Sequence, residues 1–360
     1  MKISKVESFP LKIPLRSPFK IATGETSFYE GCLVKLTTDI GIIGWGEASP
    51  SQRITGERMD DVLQGLEGLR GLLIGWDPLE VEALWERIDA ELAGHSSTKA
   101  AVDIALFDIL GKRTNLKVKN ILGGHKNSIE TSITIGIKGV PETLKEAGEL
   151  LRKGVKILKL KIGLNPEEDL EKVKRIRELD ENVRLRVDAN QGYAPDMAIS
   201  VLKEMEPYQV EFCEQPVAEE DLEGMKRVKE GVEMPVMADE SVKSLQDALR
   251  VVQLGACDLV NLKLMKMGGI RRCAQISALL EGAGIGCMVG CMVETKVGIT
   301  AGTHLALALA NVKYADLDSH LYLTSDPTRG GVVTKEGANW LLGTMGLGVE
   351  VGEKELMEYA

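Results

Sequence analysis

From residue 128 onward, short apolar runs alternate with longer segments whose apolar positions recur at helical spacing, the patterns of buried strands and amphipathic helices. The runs predict strands at Ile129–Ile135, Ile157–Ile162, Leu185–Asp188, Val210–Glu214, Val236–Asp239, Leu259–Leu264, Ile285–Val289 and Tyr314–Asp318. Pro141-Glu142, Asn165-Pro166-Glu167 and Ala194-Pro195-Asp196 place proline and acid in first helical turns, where free amides and the dipole favour them. Gly154, Gly231, Gly255 and Gly284 stand where helices should stop. Eight strands alternating with helices favour an α/β fold closed into a parallel barrel. An open doubly wound sheet is the competing architecture, because periodicity does not show closure.

The flanks follow other patterns. Residues 1–125 predict strands at Ile3–Leu15, Cys32–Thr37 and Ile42–Trp45, then helices at Asp60–Leu73, Pro78–Leu92 and Thr98–Lys112, an α+β segment preceding the barrel. Residues 126–324 hold the barrel. Residues 325–360 are glycine-rich, break the alternation and are expected to fold back on the N-terminal part.

Composition narrows the function classes. The chain has 360 residues, 44% hydrophobic and 27% charged, enough to bury a large core and a smaller second one. Net charge is −10 with both signs mixed along the helices, which argues against nucleic acid or an anionic membrane as partner. No apolar run approaches the length of a membrane span, and the N-terminus alternates like a strand, so a cytoplasmic setting is the default expectation. Cys32, Cys213, Cys257, Cys273, Cys287 and Cys291 are dispersed without a C-x-x-C pair and read as reduced core thiols.

The candidate chemistry lies at the ends of the strands. Lys161, Asp188, Glu214, Asp239 and Lys263 recur at intervals of about 25 residues, each closing an apolar run, as catalytic groups do on one face of a barrel. Carboxylates clustered at one mouth repel unless a cation joins them, and an oxygen-only set without His or Cys suits Mg²⁺, with Mn²⁺ the second candidate. Lys159 and Lys161 are two apart and share a face, the lumen if Leu158, Leu160 and Ile162 pack outward. Two confined amines are expected to depress each other's pKa, as a neutral lysine base requires. Strands two and six face each other across an eight-stranded barrel, so Lys161 and Lys263 would flank a substrate carbon from opposite sides. That arrangement suits removing an α-proton from one face and returning it to the other.

Together with Gly44-Trp45-Gly46-Glu47 and the stretch Ala101 to Asp108, the Lys159-Leu160-Lys161, Asp188, Glu214, Asp239 and Lys263 series resembles the enolase superfamily, within its muconate lactonizing enzyme subgroup. The resemblance covers essentially the whole chain. It implies a (β/α)7β modified TIM barrel under an α+β capping domain built from both chain ends, Mg²⁺ on Asp188, Glu214 and Asp239, and an enolate intermediate. It also suggests a homo-oligomer. Lysine bases working beside Mg²⁺ are an established pattern of this superfamily.

The eighth strand separates the superfamily's reactions. Tyr314-Ala315-Asp316-Leu317-Asp318 puts Asp316 and Asp318 on one face, across from Glu214, where paired carboxylates favour a cationic group. The Asp-x-Asp is similar to the motif by which dipeptide epimerases bind a substrate's ammonium. It implies epimerisation at the C-terminal residue of a dipeptide, with Lys161 and Lys263 exchanging roles as base and acid and Lys159 beside Mg²⁺ stabilising an ene-diolate. An o-succinylbenzoate synthase or N-succinylamino acid racemase is the alternative enzyme, and a non-catalytic ligand-binding barrel the alternative of another class. Family members acting on Ala-Glu carry an arginine in the loop after the first strand. Here Pro18 to Gln52 holds no arginine and Gly24 aligns at that place, so apolar or broad dipeptides are expected. Ile21, Phe28 and Tyr29 either line an apolar pocket or pack in the core, and Glu25 keeps a cationic side chain in play. Gly282-x-Gly284-x-Gly286 precedes a strand and so does not read as a nucleotide loop. His95, His125, His304 and His320 show no metal or triad spacing and read as structural, His320 lying nearest the barrel mouth.

Overall fold

The computed structural model describes residues 1–356 and residue 359. Residues 357, 358 and 360 of the expected segment 325–360 lie outside the described residues. The chain opens with an antiparallel sheet of β1 (Ile3–Ile21), β2 (Gly24–Thr38) and β3 (Ile43–Ala48) in sequence order. Strict alternation buries Leu11, Ile13 and Leu15 and leaves Lys12 and Pro14 exposed, as expected of a sheet covered on one face. β1 and β2 both run longer than their apolar runs, because their far ends pair as a hairpin of mixed polarity up to Ile21↔Gly24. Helices Met59–Leu73 and Val81–Glu91 follow, then Ser96–Thr114, whose apolar residues are buried on nearly every side.

After β4 (Ser128–Glu130) come eight parallel barrel strands: β5 (Ile133–Ile135), β6 (Ile157–Lys161), β7 (Arg184–Asp188), β8 (Val210–Glu214), β9 (Val236–Ala238), β10 (Leu259–Lys263), β11 (Gly286–Gly290) and β12 (Val312–Asp316). Each pairs with the next in order. A parallel bridge between Thr131 and Ala315, with Leu317 N–H donating to Thr131 Oγ1 at 2.8 Å, joins the last strand to the first. This bridge decides between a barrel and an open sheet. Among the described residues helical segments fill the seven crossovers, and β12 leads instead into a short 3-10 turn, giving the expected (β/α)7β order.

The expected strand Ile129–Ile135 is two strands. The chain bends at Thr131-Ser132, so β5 enters the barrel, whereas β4 pairs outside it with β15 (Ala338–Leu341), the partner of β14 (Val332–Lys335). The last strand begins earlier than expected, at Val312, and Asp318 falls beyond its end. The remaining tail strands, β13 (Thr328–Gly330) and β16 (Val349–Val351), pair with each other. The tail also reaches the N-terminal segment, where Val118 N–H donates to Gly346 O and Leu347 N–H to Asp108 Oδ1.

Leu158, Leu160 and Ile162 join the large core under the helices, so their alternate neighbours face the lumen. Phe212, Met237 and Met288 form a separate cluster with Tyr314. Phe212 and Met237 precede Glu214 and Asp239 by two residues, so an apolar floor underlies the charged mouth. Arg186 is buried in that floor, its guanidinium 5.3 Å from the Phe212 ring and 5.1 Å from Tyr314. No helix among the described residues is long and apolar enough to cross a membrane.

Candidate active site

A cavity of about 480 Å³ opens where the N-terminal hairpin meets the C-terminal ends of the barrel strands. Lys159, Lys161, Lys263, Asp316 and Asp318 line it from the barrel, and Gly24, Glu25, Phe28, Tyr29 and Arg53 from the N-terminal segment. Asp188, Glu214 and Asp239 lie at the ends of consecutive strands with no exposed surface. The structure thus brings all the expected barrel-mouth residues into one region. A second cavity, of about 370 Å³ between Trp85, Lys99 and Arg271, is lined by none of Lys159, Lys161, Lys263, Asp316 and Asp318.

Each buried acid is neutralised by a lysine. Lys159 Nζ stands 3.0 Å from Asp188 Oδ2, 2.7 Å from Glu214 Oε2 and 2.7 Å from Asp316 Oδ2. Lys161 Nζ donates to Asp188 Oδ2 at 2.6 Å, and Lys263 Nζ to Asp239 Oδ2 at 2.6 Å. Lys266, which sequence reasoning missed, is buried and donates to Asp239 Oδ1 at 2.8 Å and to the backbone carbonyls of Asp239 and Asn261. Its signal is the i, i+3 spacing from Lys263, which returns a second ammonium to the same acid.

The charges differ from expectation at Lys159. Burial works to lower its pKa, but the Asp316, Glu214 and Asp188 carboxylates outweigh burial and hold it well above the ordinary lysine value. At Lys159 the expected depression is thus reversed, because three carboxylates surround its ammonium. Lys263 is also held up, Asp239 and Glu214 overriding desolvation. Burial and the neighbouring Asp188 push Glu214 up to about 8, whereas the lysines override burial and hold Asp188 and Asp239 below the usual carboxylate range.

Among the described residues no three His, Cys, Asp or Glu side chains converge as a ligand set, since ammonium groups stand between the acids. The donor chemistry nevertheless fits a hard divalent cation. Asp188, Glu214 and Asp239 are joined by buried oxygens without hydrogen-bond partners, namely Asn190 Oδ1, Glu240 Oε2 and Asn261 Oδ1. Asn190 N–H donates to Asp188 Oδ1 at 2.9 Å, and Asn261 Nδ2 to Glu214 Oε1 at 2.8 Å, so both asparagines orient acids. Asn261 was legible in Val260-Asn261-Leu262-Lys263, two residues before a lumen lysine. Gly290 makes room for it, since a Cβ there would lie 2.6 Å from Asn261 Oδ1. Asn190, Gln191 and Gln215 have positive φ (40°, 71° and 37°) immediately after acid-bearing strand ends, the kind of backbone strain that concentrates at functional sites.

Across the mouth, Asp316 accepts from Ser132 Oγ at 2.6 Å and from Lys159, which hold it below the usual range against burial. Asp318 accepts from Thr134 N–H at 2.7 Å and from the Tyr322 hydroxyl. Burial and the Asp316 charge push it up to about 7. One acid is therefore already paired with a lysine, and the other is held by neutral donors.

Ile21 and the exposed Phe28 line the cavity rather than packing in the core, and Tyr29 is buried along its wall. Cys291, expected as a core thiol, also reaches the wall and donates to the Asp316 carbonyl. The other five cysteines are buried. His320 is buried and does not line the cavity. Arg53 escapes sequence reasoning because it lies one residue beyond Pro18 to Gln52, the stretch that holds no arginine.

Comparison with known proteins gives the family of the whole chain. Residues 4–123 match the mandelate racemase / muconate lactonizing enzyme N-terminal domain, and residues 142–355 the enolase C-terminal domain-like family. The chain is 40% identical over 348 residues to the L-Ala-D/L-Glu epimerase of Clostridium acetobutylicum, covering 94% of this chain and 96% of that protein. It superposes on the dipeptide epimerase of Enterococcus faecalis, complexed with Mg and L-Leu-L-Tyr, with TM-score 0.95 at 39% identity, covering 97% of this chain and 100% of that one. The N-succinyl Arg/Lys racemase of Bacillus cereus superposes with TM-score 0.97 at 32% identity, covering 100% and 98%. Strand-end chemistry, barrel topology and these matches over both halves establish that the chain belongs to the enolase superfamily, in its mandelate racemase / muconate lactonizing enzyme branch.

Proposed function

We propose that this protein is a Mg²⁺-dependent dipeptide epimerase that inverts the α-carbon of the C-terminal residue by two-base 1,1-proton transfer. The observation that carries the reading is that Asp316 and Asp318 share one cavity with Lys161 and Lys263. Two carboxylates facing two lysines suit a substrate with an ammonium at one end and an acidic α-proton at the other. An N-succinylated substrate has no free α-ammonium to meet them.

β6 and β10 lie four positions apart in the ring of eight, which sets Lys161 and Lys263 on opposite sides of the lumen. For one stereoisomer one lysine takes the α-proton as a free amine, and the opposite lysine returns a proton as an ammonium. For the other stereoisomer the roles exchange. Lys159 lies between the acids and Asp316, close enough to place positive charge on a substrate carboxylate. A divalent cation held by Asp188, Glu214 and Asp239 would supply further charge to that carboxylate and release those acids from the lysines they now bind. Mg²⁺ is the favoured ion and Mn²⁺ a second.

We assign residues 1–125 to a capping domain, 126–324 to the catalytic barrel and 325–360 to a segment returning to the cap, with Gly24 and Arg53 as the cap's contribution to the cavity. α-Proton exchange in D₂O, followed by mass spectrometry over a dipeptide library with Mg²⁺ present, tests the reaction. Wild type exchanges both stereoisomers of an accepted dipeptide. Lys161→Ala and Lys263→Ala each lower epimerisation by at least about 1000-fold, within the range for losing a general acid or base. Each variant retains exchange of one stereoisomer only. Absence of exchange across the library would reject the function.

A further inference from the structure

We propose that Lys266 is a positioning residue: it holds Asp239 in place as a ligand for the divalent cation and leaves Lys263 free to move protons. The inference rests on the reading of Asp239 as a metal ligand and adds a residue that acts through it. It begins where the ladder between β9 and β10 stops. Leu259 pairs with Met237 and Val260 with Ala238, so the next pair in register would be Asn261 with Asp239. β9 ends at Ala238, one residue short of that pair. In its place the Lys266 ammonium joins the two residues, donating to the Asp239 carbonyl and, at 3.0 Å, to the Asn261 carbonyl. Its third bond, of 2.8 Å, goes to Asp239 Oδ1. An ammonium has three donors, and here all three are used. Gln215 Oε1 accepts from the Asp239 N–H at 2.9 Å, so the backbone and side chain of this acid are held from three directions.

Two lysines share Asp239, and their surroundings separate their work. Lys263 closes β10, donates to Asp239 Oδ2 at 2.6 Å and lines the active-site cavity. It has one acid to exchange for a substrate atom. Lys266 comes from the four-residue helix Leu264–Met267, is buried, and lines the second cavity. It spends every donor on Asp239 and Asn261, so it acts on the reaction only through the acid it fixes. One oxygen of Asp239 thus has a resident partner, and the other has a partner that chemistry can call away.

Calorimetric titration of Mg²⁺ into wild type, Lys266→Met and Lys263→Ala tests the assignment. Lys266→Met should bind Mg²⁺ about 10- to 100-fold more weakly, the loss typical of a partner that orients a metal ligand. The sign is diagnostic. Removing an ammonium from beside a cation site would by itself tighten binding, so weaker binding reads lost orientation and not lost charge. Lys263→Ala should bind Mg²⁺ at least as well as wild type. At saturating Mg²⁺, Lys266→Met should still exchange the α-proton of both stereoisomers, in contrast to Lys263→Ala. Lys266→Met leaves two carbonyls and a carboxylate oxygen without their donor. If it does not fold, Asp239→Ala is compared with the double variant Asp239→Ala, Lys266→Met, from which the orphaned carboxylate is gone. The double variant should bind Mg²⁺ no more weakly than Asp239→Ala, because Lys266 has no ligand left to hold. Mg²⁺ binding in Lys266→Met as tight as in wild type, a further loss in the double variant, or loss of exchange for one stereoisomer only would overturn the inference. A wild type that takes up no Mg²⁺ would overturn the metal reading itself.

Discussion

At the scale of single residues, what decides a side chain's state is which opposite charge stands nearest. Lys159 and Lys161 are adjacent on one face, as their spacing requires, yet Lys159 keeps its proton because three carboxylates from other strands surround it. Spacing along one strand reveals neighbours on that strand and none of the groups facing it. His304 is a simpler case. It is fully buried, its Nδ1 accepts from Lys119 N–H at 3.0 Å and its Nε2 meets the Leu347 carbonyl at 3.1 Å. Burial pushes its pKa down to about 3. A depressed folded-state value means that the unfolded chain binds the extra proton, so this stabilising contribution is present above about 6.5 and is lost as pH falls toward 3. Between pH 7 and 5 the loss is about 2 kcal/mol. Urea denaturation at both pH values should show that much less loss in His304→Gln than in wild type, and equal losses would reject the account.

At the scale of elements, the sequence pattern located nearly every strand and helix, and erred where pairing partners set the ends. Ile129–Ile135 reads as one apolar run, but its two halves pair with different sheets. Arg53 escaped notice because a loop's position in space is not a periodic signal. Gly46 illustrates a contact that composition hides. A Cβ there would lie 1.9 Å from the Ala101 carbonyl, so β3 and the helix Ser96–Thr114 approach more closely than any side chain allows. Gly46→Ala should destabilise the protein by about 1–3 kcal/mol through overpacking. Gly68→Ala, in the open on the helix Met59–Leu73, should be neutral or stabilising by up to about 1 kcal/mol. Thermal melts of the two variants check the contrast, and similar shifts would contradict it.

At the scale of the whole molecule, the N-terminal sheet and the barrel meet around one cavity. Glu47, at the end of β3, accepts from Thr295 N–H and Gly298 N–H, both at 2.8 Å, and so joins the sheet to the start of the helix Lys296–Ala308. The buried acids at the barrel mouth should link metal binding to global stability. Mg²⁺ at about 100 times its dissociation constant should stabilise the fold by about 2.7 kcal/mol and raise Tm accordingly. Asp188→Asn should lose that rise, and a variant that keeps it would remove Asp188 from the ligand set.

The sequence by itself determined the α/β alternation, the three acids and the opposed lysines, because side-chain period and strand length are local properties that one strand and one helix enforce. Tertiary structure alone decided the closure of the barrel through Thr131 and Ala315, the protonation of Lys159, and the presence of Arg53 over Gly24. Each of these depends on groups far apart in the chain, whose approach is set by packing and hydrogen bonding rather than by any local pattern.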